Sequence, residues 1–118
     1  MRTGPTNPEL KSLIVELKKL AIQQNKQLWK VIATELEKPT RSRRIVNLIK
    51  IERFIKDNEI ILVPGKVLAS GDFNKKATIA AYTFSGQALD KINKVGKALT
   101  IPELMKQNPK GNNVRIIV

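Results

Sequence analysis

Guanidinium and ammonium groups dominate the chemistry this sequence can offer. The segment Lys38-Pro39-Thr40-Arg41-Ser42-Arg43-Arg44 sets four cations within seven residues and has no acid. Arginine presents a planar fork that pairs bidentately with phosphate oxygens and also stacks on exposed bases. The Thr40 and Ser42 hydroxyls could add donors to phosphate, although such residues usually face water. A solvated basic loop is the plainer reading. It loses ground because seven cations from Lys38 to Lys56 (Lys38, Arg41, Arg43, Arg44, Lys50, Arg53, Lys56) face a single acid, Glu52, so six of the net twelve positive charges sit there.

Lys66 follows Pro64-Gly65, where an apolar run closes and a glycine lets a ligand approach the backbone. A phosphate contact fits that setting, but a nucleotide-binding P-loop does not. That motif needs a glycine five residues before Gly65, where Ile60 stands, and a hydroxyl residue in place of Val67. Lys75-Lys76, in a polar loop, reads equally as solubilising charge or as a second backbone contact, and loop placement favours contact slightly.

Acid–base and metal chemistry find little material. The chain has no His and no Cys, which removes the commonest general base, thiolate zinc sites and any disulfide framework. Asp57, Glu59 and Asp72 have no triad partner, and no carboxylates alternate as in a calcium loop. These acids read as solvated charge. Neither a catalytic residue nor a metal or cofactor is expected.

The elements that must hold these cations follow from periodicity. Asn7-Pro8-Glu9 combines an N-cap, a proline at the first helical position and an acid that suits the helix dipole. Leu10, Leu13, Ile14, Leu17, Leu20 and Ala21 then form one apolar stripe, predicting a helix to about Gln24. After Asn25-Lys26, the set Leu28, Trp29, Ile32, Ala33 and Leu36 predicts a second helix ended by Pro39, and so an αα-hairpin. Over Ile45 to Ile51 a strand and a short helix compete. Ile60 to Val63, closed by Pro64-Gly65, and Thr78 to Phe84 read as buried strands joined by the turn-rich Ser70-Gly71-Asp72 and Asn74-Lys75-Lys76. Ser85 caps a helix carrying Ala88, Leu89, Ile92 and Val95, with Gly96 as its stop. Thr100 to Glu103 has capping-box spacing for a short last helix, ended at Asn108-Pro109-Lys110-Gly111, and Val114 to Val118 reads as a strand.

A chain of 118 residues buries roughly two-thirds of its unfolded surface, enough for one core. No run reaches the ~18 apolar residues of a membrane span, and Met1 to Glu9 lacks the apolar stretch of a signal peptide, so a cytoplasmic protein is expected. With 22 Lys plus Arg against 10 Asp plus Glu and a pI near 10.3, the natural partner is a polyanion, whose condensed counterions are released on binding. At 4% aromatic content the chain lacks a base-stacking platform. Trp29, Phe54, Tyr82 and Phe84 are read as core residues.

A helix-turn-helix DNA-binding regulator is the main rival, since arginines follow two consecutive helices. The second helix argues against it, carrying Glu35 and Glu37 beside Lys30 where a recognition helix presents basic or amide groups. A cationic membrane-surface protein ranks lower still, because the first helix has mixed charge.

The stretch from Val63 to Asp72 (Val63-Pro64-Gly65-Lys66-Val67-Leu68-Ala69-Ser70-Gly71-Asp72), preceded by Arg43-Arg44-Ile45-Val46-Asn47-Leu48, resembles the archaeal and eukaryotic large-subunit ribosomal protein L-eighteen-e family. Thr3 to Pro8, Ala80-Ala81 with Phe84-Ser85 and Ala88, and Asn108 to Gly111 with Val114-Arg115 resemble further parts of that family, so the likeness spans essentially the whole chain. The short length is closer to the archaeal form. One departure is Ala69, where the family pattern has a glycine, and with it goes any tight backbone geometry there.

The resemblance implies an α/β fold: an N-terminal helical hairpin followed by an irregular β-β-α superhelical core with short strands and helices, shared with the bacterial-type ribosomal protein fifteen family. It also implies a structural, non-enzymatic role in the cytoplasm, in the large ribosomal subunit. The partners would be large-subunit ribosomal RNA and neighbouring large-subunit proteins, with no membrane and no small-molecule substrate. On that reading residues 1–118 form a single domain with basic tails. The RNA-facing residues are then Arg2, Lys38, Arg41, Arg43, Arg44, Lys50, Lys66, Lys75, Lys76, Lys110 and Arg115. Met1 to Pro5 and Lys110 to Asn113 are expected to be mobile in the free protein and ordered on RNA.

Overall fold

Helix α1 (Pro8–Gln24) begins with proline where a missing N–H costs nothing and buries Leu10, Leu13, Ile14 and Leu17. The computed structural model describes residues 8–38, 44–56, 59–71 and 73–117, so the expected cap Asn7 and the expected stop Pro39 lie outside the described residues. Asn25 ends α1 in the left-handed region (φ 52°), where the Lys26 N–H donates to the Ala21 carbonyl at 3.1 Å. Helix α2 (Gln27–Leu36) then packs back on α1 and buries Trp29, Ile32, Ala33 and Leu36. The predicted hairpin is present.

The competition over Ile45 to Ile51 resolves into both elements, strand β1 (Arg44–Asn47) and helix α3 (Leu48–Phe54). Asn47 makes the switch, because its side-chain oxygen accepts from the Ile49 N–H at 3.1 Å and starts the helix. Leu48 and Ile51 face the core, whereas Phe54 remains 48% exposed, contrary to the expected burial. A residue six on from Leu48 is rotated roughly 120° off its face.

Strand β2 (Ile60–Leu68) does not close at Pro64-Gly65 as expected but runs through them. One edge of β2 is shared: Ile60 to Leu62 pair with β5 (Val114–Ile116), and Gly65 to Leu68 pair with β1. Pro64, which has no N–H, falls between those two ladders. On the other edge it falls within the register shift between Val63 and Lys66 against β3 (Thr78–Phe84). A proline is tolerated inside a central strand at such a point.

Helix α4 (Gly86–Val95) is capped by Ser85, whose hydroxyl accepts from the Ala88 N–H at 3.1 Å. Strand β4 (Lys97–Thr100), which the sequence pattern did not predict, follows Gly96 and pairs with β3. Thr100 and Glu103 form the expected capping box of helix α5 (Ile101–Gln107).

All the strand pairings among the described residues are parallel, in the order β1-β2-β3-β4, with β5 also on β2. Leu62, Ala80 and Leu99 join the core beneath α1, α2 and α5. Their alternating neighbours Ile61, Val63, Ile79 and Ala81 join a second core with α3 and α4. Burial on both faces explains why these strands read as continuous apolar runs. Each fully buried Leu or Ile contributes roughly 1.5–3 kcal/mol relative to exposure. Between β2 and β3, Phe73 and Ala77 are buried in the second core although the residues around them, Ser70 to Asp72 and Asn74 to Lys76, are small or polar; Ala69 packs there half-buried.

Candidate nucleic-acid interface

The polar groups that start three helices stand at the carboxyl ends of strands: Asn47 at the end of β1, Ser85 after β3 and Thr100 at the end of β4. Asn47 also donates to the Ser70 hydroxyl at 3.0 Å, joining the ends of β1 and β2. Lys66 lies in this half of the sheet. Its register partners are Ile45 on β1 and Thr83 on β3, and all three side chains are exposed. Neighbouring strands lie about 4.8 Å apart. Of the arginine-rich segment, Arg44 opens β1, where its backbone pairs with Gly65, next to Lys66. Arg2, Arg41 and Arg43 lie outside the described residues. Lys50 is exposed on α3.

Lys75 and Lys76 are exposed just before β3, at the opposite, amino-terminal edge of the sheet. Ile60 marks that edge on β2 by its pairing with Thr78, and six residues of strand to Lys66 span about 20 Å. The two groups of cations are therefore separate surfaces. Beside Lys76 lies an open cleft of 710 Å³ whose lining includes Lys94, Lys97, Asn93 and Glu59. Lys94 and Lys97 were not singled out from the sequence. The available signal was the spacing Lys91, Lys94, Lys97 around Gly96.

Other cations are engaged within the fold. Lys38 pairs with Glu35 at 3.0 Å. Arg115 donates to the Phe54 carbonyl at 3.0 Å and lies 3.6 Å from the Glu59 carboxylate. Lys110 is exposed on a turn in which the Asn108 side chain accepts from the Asn112 N–H at 3.2 Å and donates to the Asn112 carbonyl at 2.8 Å. Gly111 takes φ 68° in that turn, and a Cβ there would meet Leu28 at 2.6 Å.

Among the described residues, no group of three or more Asp or Glu side chains converges to hold a metal ion, and no helix is long and apolar enough to cross a membrane. The Glu103 carboxyl is held below its ordinary value by hydrogen bonds from the Thr100 N–H and hydroxyl, aided by the charge of Lys97. That shift belongs to a helix cap. The exposed face of α2 offers Gln27, Lys30, Val31 and Thr34, and its end residue Glu37 pairs with Lys18 of α1 at 3.1 Å. A recognition helix would need more donors there. What the surface can do is bind phosphate through distributed ammonium and guanidinium groups.

Residues 24–100 match the model of a family described as ribosomal proteins 50S-L15, 50S-L18e and 60S-L27a. The chain belongs to this family. It is 46% identical to the large ribosomal subunit protein eL18 of Haloarcula marismortui over 112 residues, covering 95% of this chain and 97% of that protein. The eL18 protein of Pyrobaculum aerophilum is 44% identical over 98% of this chain and 96% of its own length. That of Methanothermobacter thermautotrophicus is 42% identical over 95% of this chain and 93% of its own. The family consists of ribosomal proteins and not enzymes.

Proposed function

We propose that this protein is a structural constituent of the large ribosomal subunit that binds folded ribosomal RNA through phosphate contacts and holds RNA segments in register. The observation that carries the reading is its likeness, over nearly its full length, to large-subunit proteins of three archaea. The distribution of charge supports it. Lys66, Lys75, Lys76 and Lys110 are exposed and make no ion pair with an acid among the described residues. With Arg2, Arg41, Arg43, Arg44 and Lys50 they supply the phosphate contacts. Lys38 and Arg115 join them by exchanging carboxylate partners for phosphate, since a surface ion pair contributes only about 0–1 kcal/mol.

Specificity on this reading comes from shape. A rigid α/β body presents cations at fixed spacing, and folded RNA presents phosphates at fixed spacing, with no need to read bases. Residues 1–118 act as one domain with basic tails, in the cytoplasm, beside neighbouring large-subunit proteins. Sedimentation of a cell lysate through sucrose at low and high salt tests the reading. Stoichiometric comigration with large subunits that survives moderate salt is the expected result; a position among free proteins or chromatin fragments overturns it and favours a DNA-binding role.

A further inference from the structure

We propose that the cleft at the amino-terminal edge of the sheet, lined by Lys76, Lys94 and Lys97, binds a second stretch of RNA backbone, so that the protein bridges two RNA segments from opposite ends of its sheet. The proposal rests on the RNA-binding reading above and adds a surface to it.

Four segments build the cleft: the start of β2, the connection into β3, the last turn of α4 and the start of β4. Gly96 brings the last three together. A Cβ on Gly96 would lie 2.0 Å from the Ala77 carbonyl oxygen, so only glycine allows the α4–β4 turn to rest on Ala77. There the Lys97 N–H donates to that same carbonyl at 2.9 Å. This contact sets Lys97 beside Lys76, 21 positions away in sequence (97 less 76). Lys94, in the last turn of α4, completes the group.

Among the described residues the charge in the cleft is cancelled only in part: Glu59 is the one carboxylate that lines it, and it already accepts from the Lys56 N–H at 2.9 Å and faces Arg115 at 3.6 Å, while Glu103, outside the lining, feels the charge of Lys97. Three ammonium groups are left, against the partial negative charge of about one half that a helix carboxyl end carries. Asn93 uses its side-chain oxygen on the Ala98 N–H at 3.3 Å, which turns its amide donors to other partners. Among the described residues no aromatic ring lines the cleft, so stacked bases find no platform there, and point-charge donors match phosphate. The opening, 710 Å³ in volume, admits a run of backbone. Its separation of about 20 Å from Lys66 along β2 makes the cleft a contact point distinct from Lys66, and on the bridging proposal the two points meet different RNA segments.

Binding of the full chain to transcribed large-subunit ribosomal RNA, measured by fluorescence anisotropy across a salt series, tests the inference. The triple variant Lys76→Gln, Lys94→Gln, Lys97→Gln removes exposed side chains and leaves the fold intact by circular dichroism. It should bind roughly 10–100-fold more weakly, and its dependence of log K on log salt should be shallower by about 2–3. Replacing the same three residues by Arg should restore both. Combined with Lys66→Gln, the losses should multiply, as expected for distant sites. Because the chain has no cysteine, Lys97→Cys and Lys66→Cys can each carry a photo-crosslinker, and the two should mark different RNA segments. An unchanged salt slope in the triple variant, while the wild type binds, overturns the cleft and leaves the RNA-binding reading standing. Crosslinks to one and the same segment overturn the bridge. A wild type that ignores the RNA or prefers duplex DNA overturns both readings.

Discussion

The Trp29 indole N–H donates to the Pro109 carbonyl at 2.8 Å, joining residues 80 positions apart. Trp29 is fully buried on α2, and Pro109 lies in the turn that leads to β5. One side chain thus ties the helical hairpin to the segment that completes the sheet. Trp29→Phe keeps most of the apolar contact but leaves the part-buried carbonyl without its donor, at a cost of about 1–3 kcal/mol. The midpoint of thermal unfolding by circular dichroism should fall by roughly 3–5 °C per kcal/mol in a domain of this size. An unchanged midpoint would show that water replaces the indole without penalty.

Gly96→Ala should be among the most damaging single substitutions. The new methyl would collide with backbone, not with a flexible side chain that could move away. Forced separation of the α4–β4 turn from Ala77 should cost about 1–3 kcal/mol or more, visible as a lower urea midpoint. Gly86→Ala is the control, because a Cβ there meets nothing within 4 Å. It should be neutral or mildly stabilising in the first turn of α4.

Acid should weaken the start of α5. Glu103 has a lowered carboxyl pKa in the fold, set mainly by the Thr100 N–H. A lowered value means the ionised form is favoured on folding. The contribution is therefore present above the ordinary carboxylate range and fades as pH falls through the lowered value. Glu103→Gln should flatten the acid side of the stability–pH curve. An identical acid slope in wild type and variant would contradict the assignment. Thr100→Ala, which removes the other half of the box, should cost about 1 kcal/mol at neutral pH.

Arg115 and Lys66 should differ in what they do for stability. Arg115 holds the Phe54 carbonyl and Glu59, so Arg115→Ala should lower stability by about 1 kcal/mol besides removing one phosphate contact. Lys66→Ala, exposed within β2, should change stability by less than about 0.5 kcal/mol and make the salt dependence of RNA binding shallower by about 0.7–0.9. Denaturation and anisotropy titrations of both variants separate the two roles.

The helical hairpin, the Ser85 cap and the Thr100 box were legible in the sequence because each depends on local spacing or local hydrogen bonds. The course of β2 was not. Proline and glycine normally end a strand, and only the shared edge and the register shift, both tertiary, make Pro64 harmless. Strand β4 was hidden because Lys97-Ala98-Leu99-Thr100 carries little β-branched character and its partner lies outside the local sequence. Phe73 was hidden by the polar residues around it. For the candidate interface, charge density drew attention to the arginine-rich segment and to Lys75-Lys76. For Lys94 and Lys97 the local spacing around Gly96 was a faint signal, and their place beside Lys76 depends on the tertiary contact of Gly96 with Ala77.

Strand β2 receives a neighbour along its Ile60–Leu62 half from residues 114–116. During synthesis these emerge 54 positions after their partners (116 less 62), a delay of roughly 3–10 s at about 5–20 residues per second. Until they arrive, the Ile60–Leu62 stretch of β2 lacks its partner on that edge, and an unpaired strand edge is the kind of surface that recruits other strands. The last three-residue strand to be synthesised thus completes the pairing of the central strand β2.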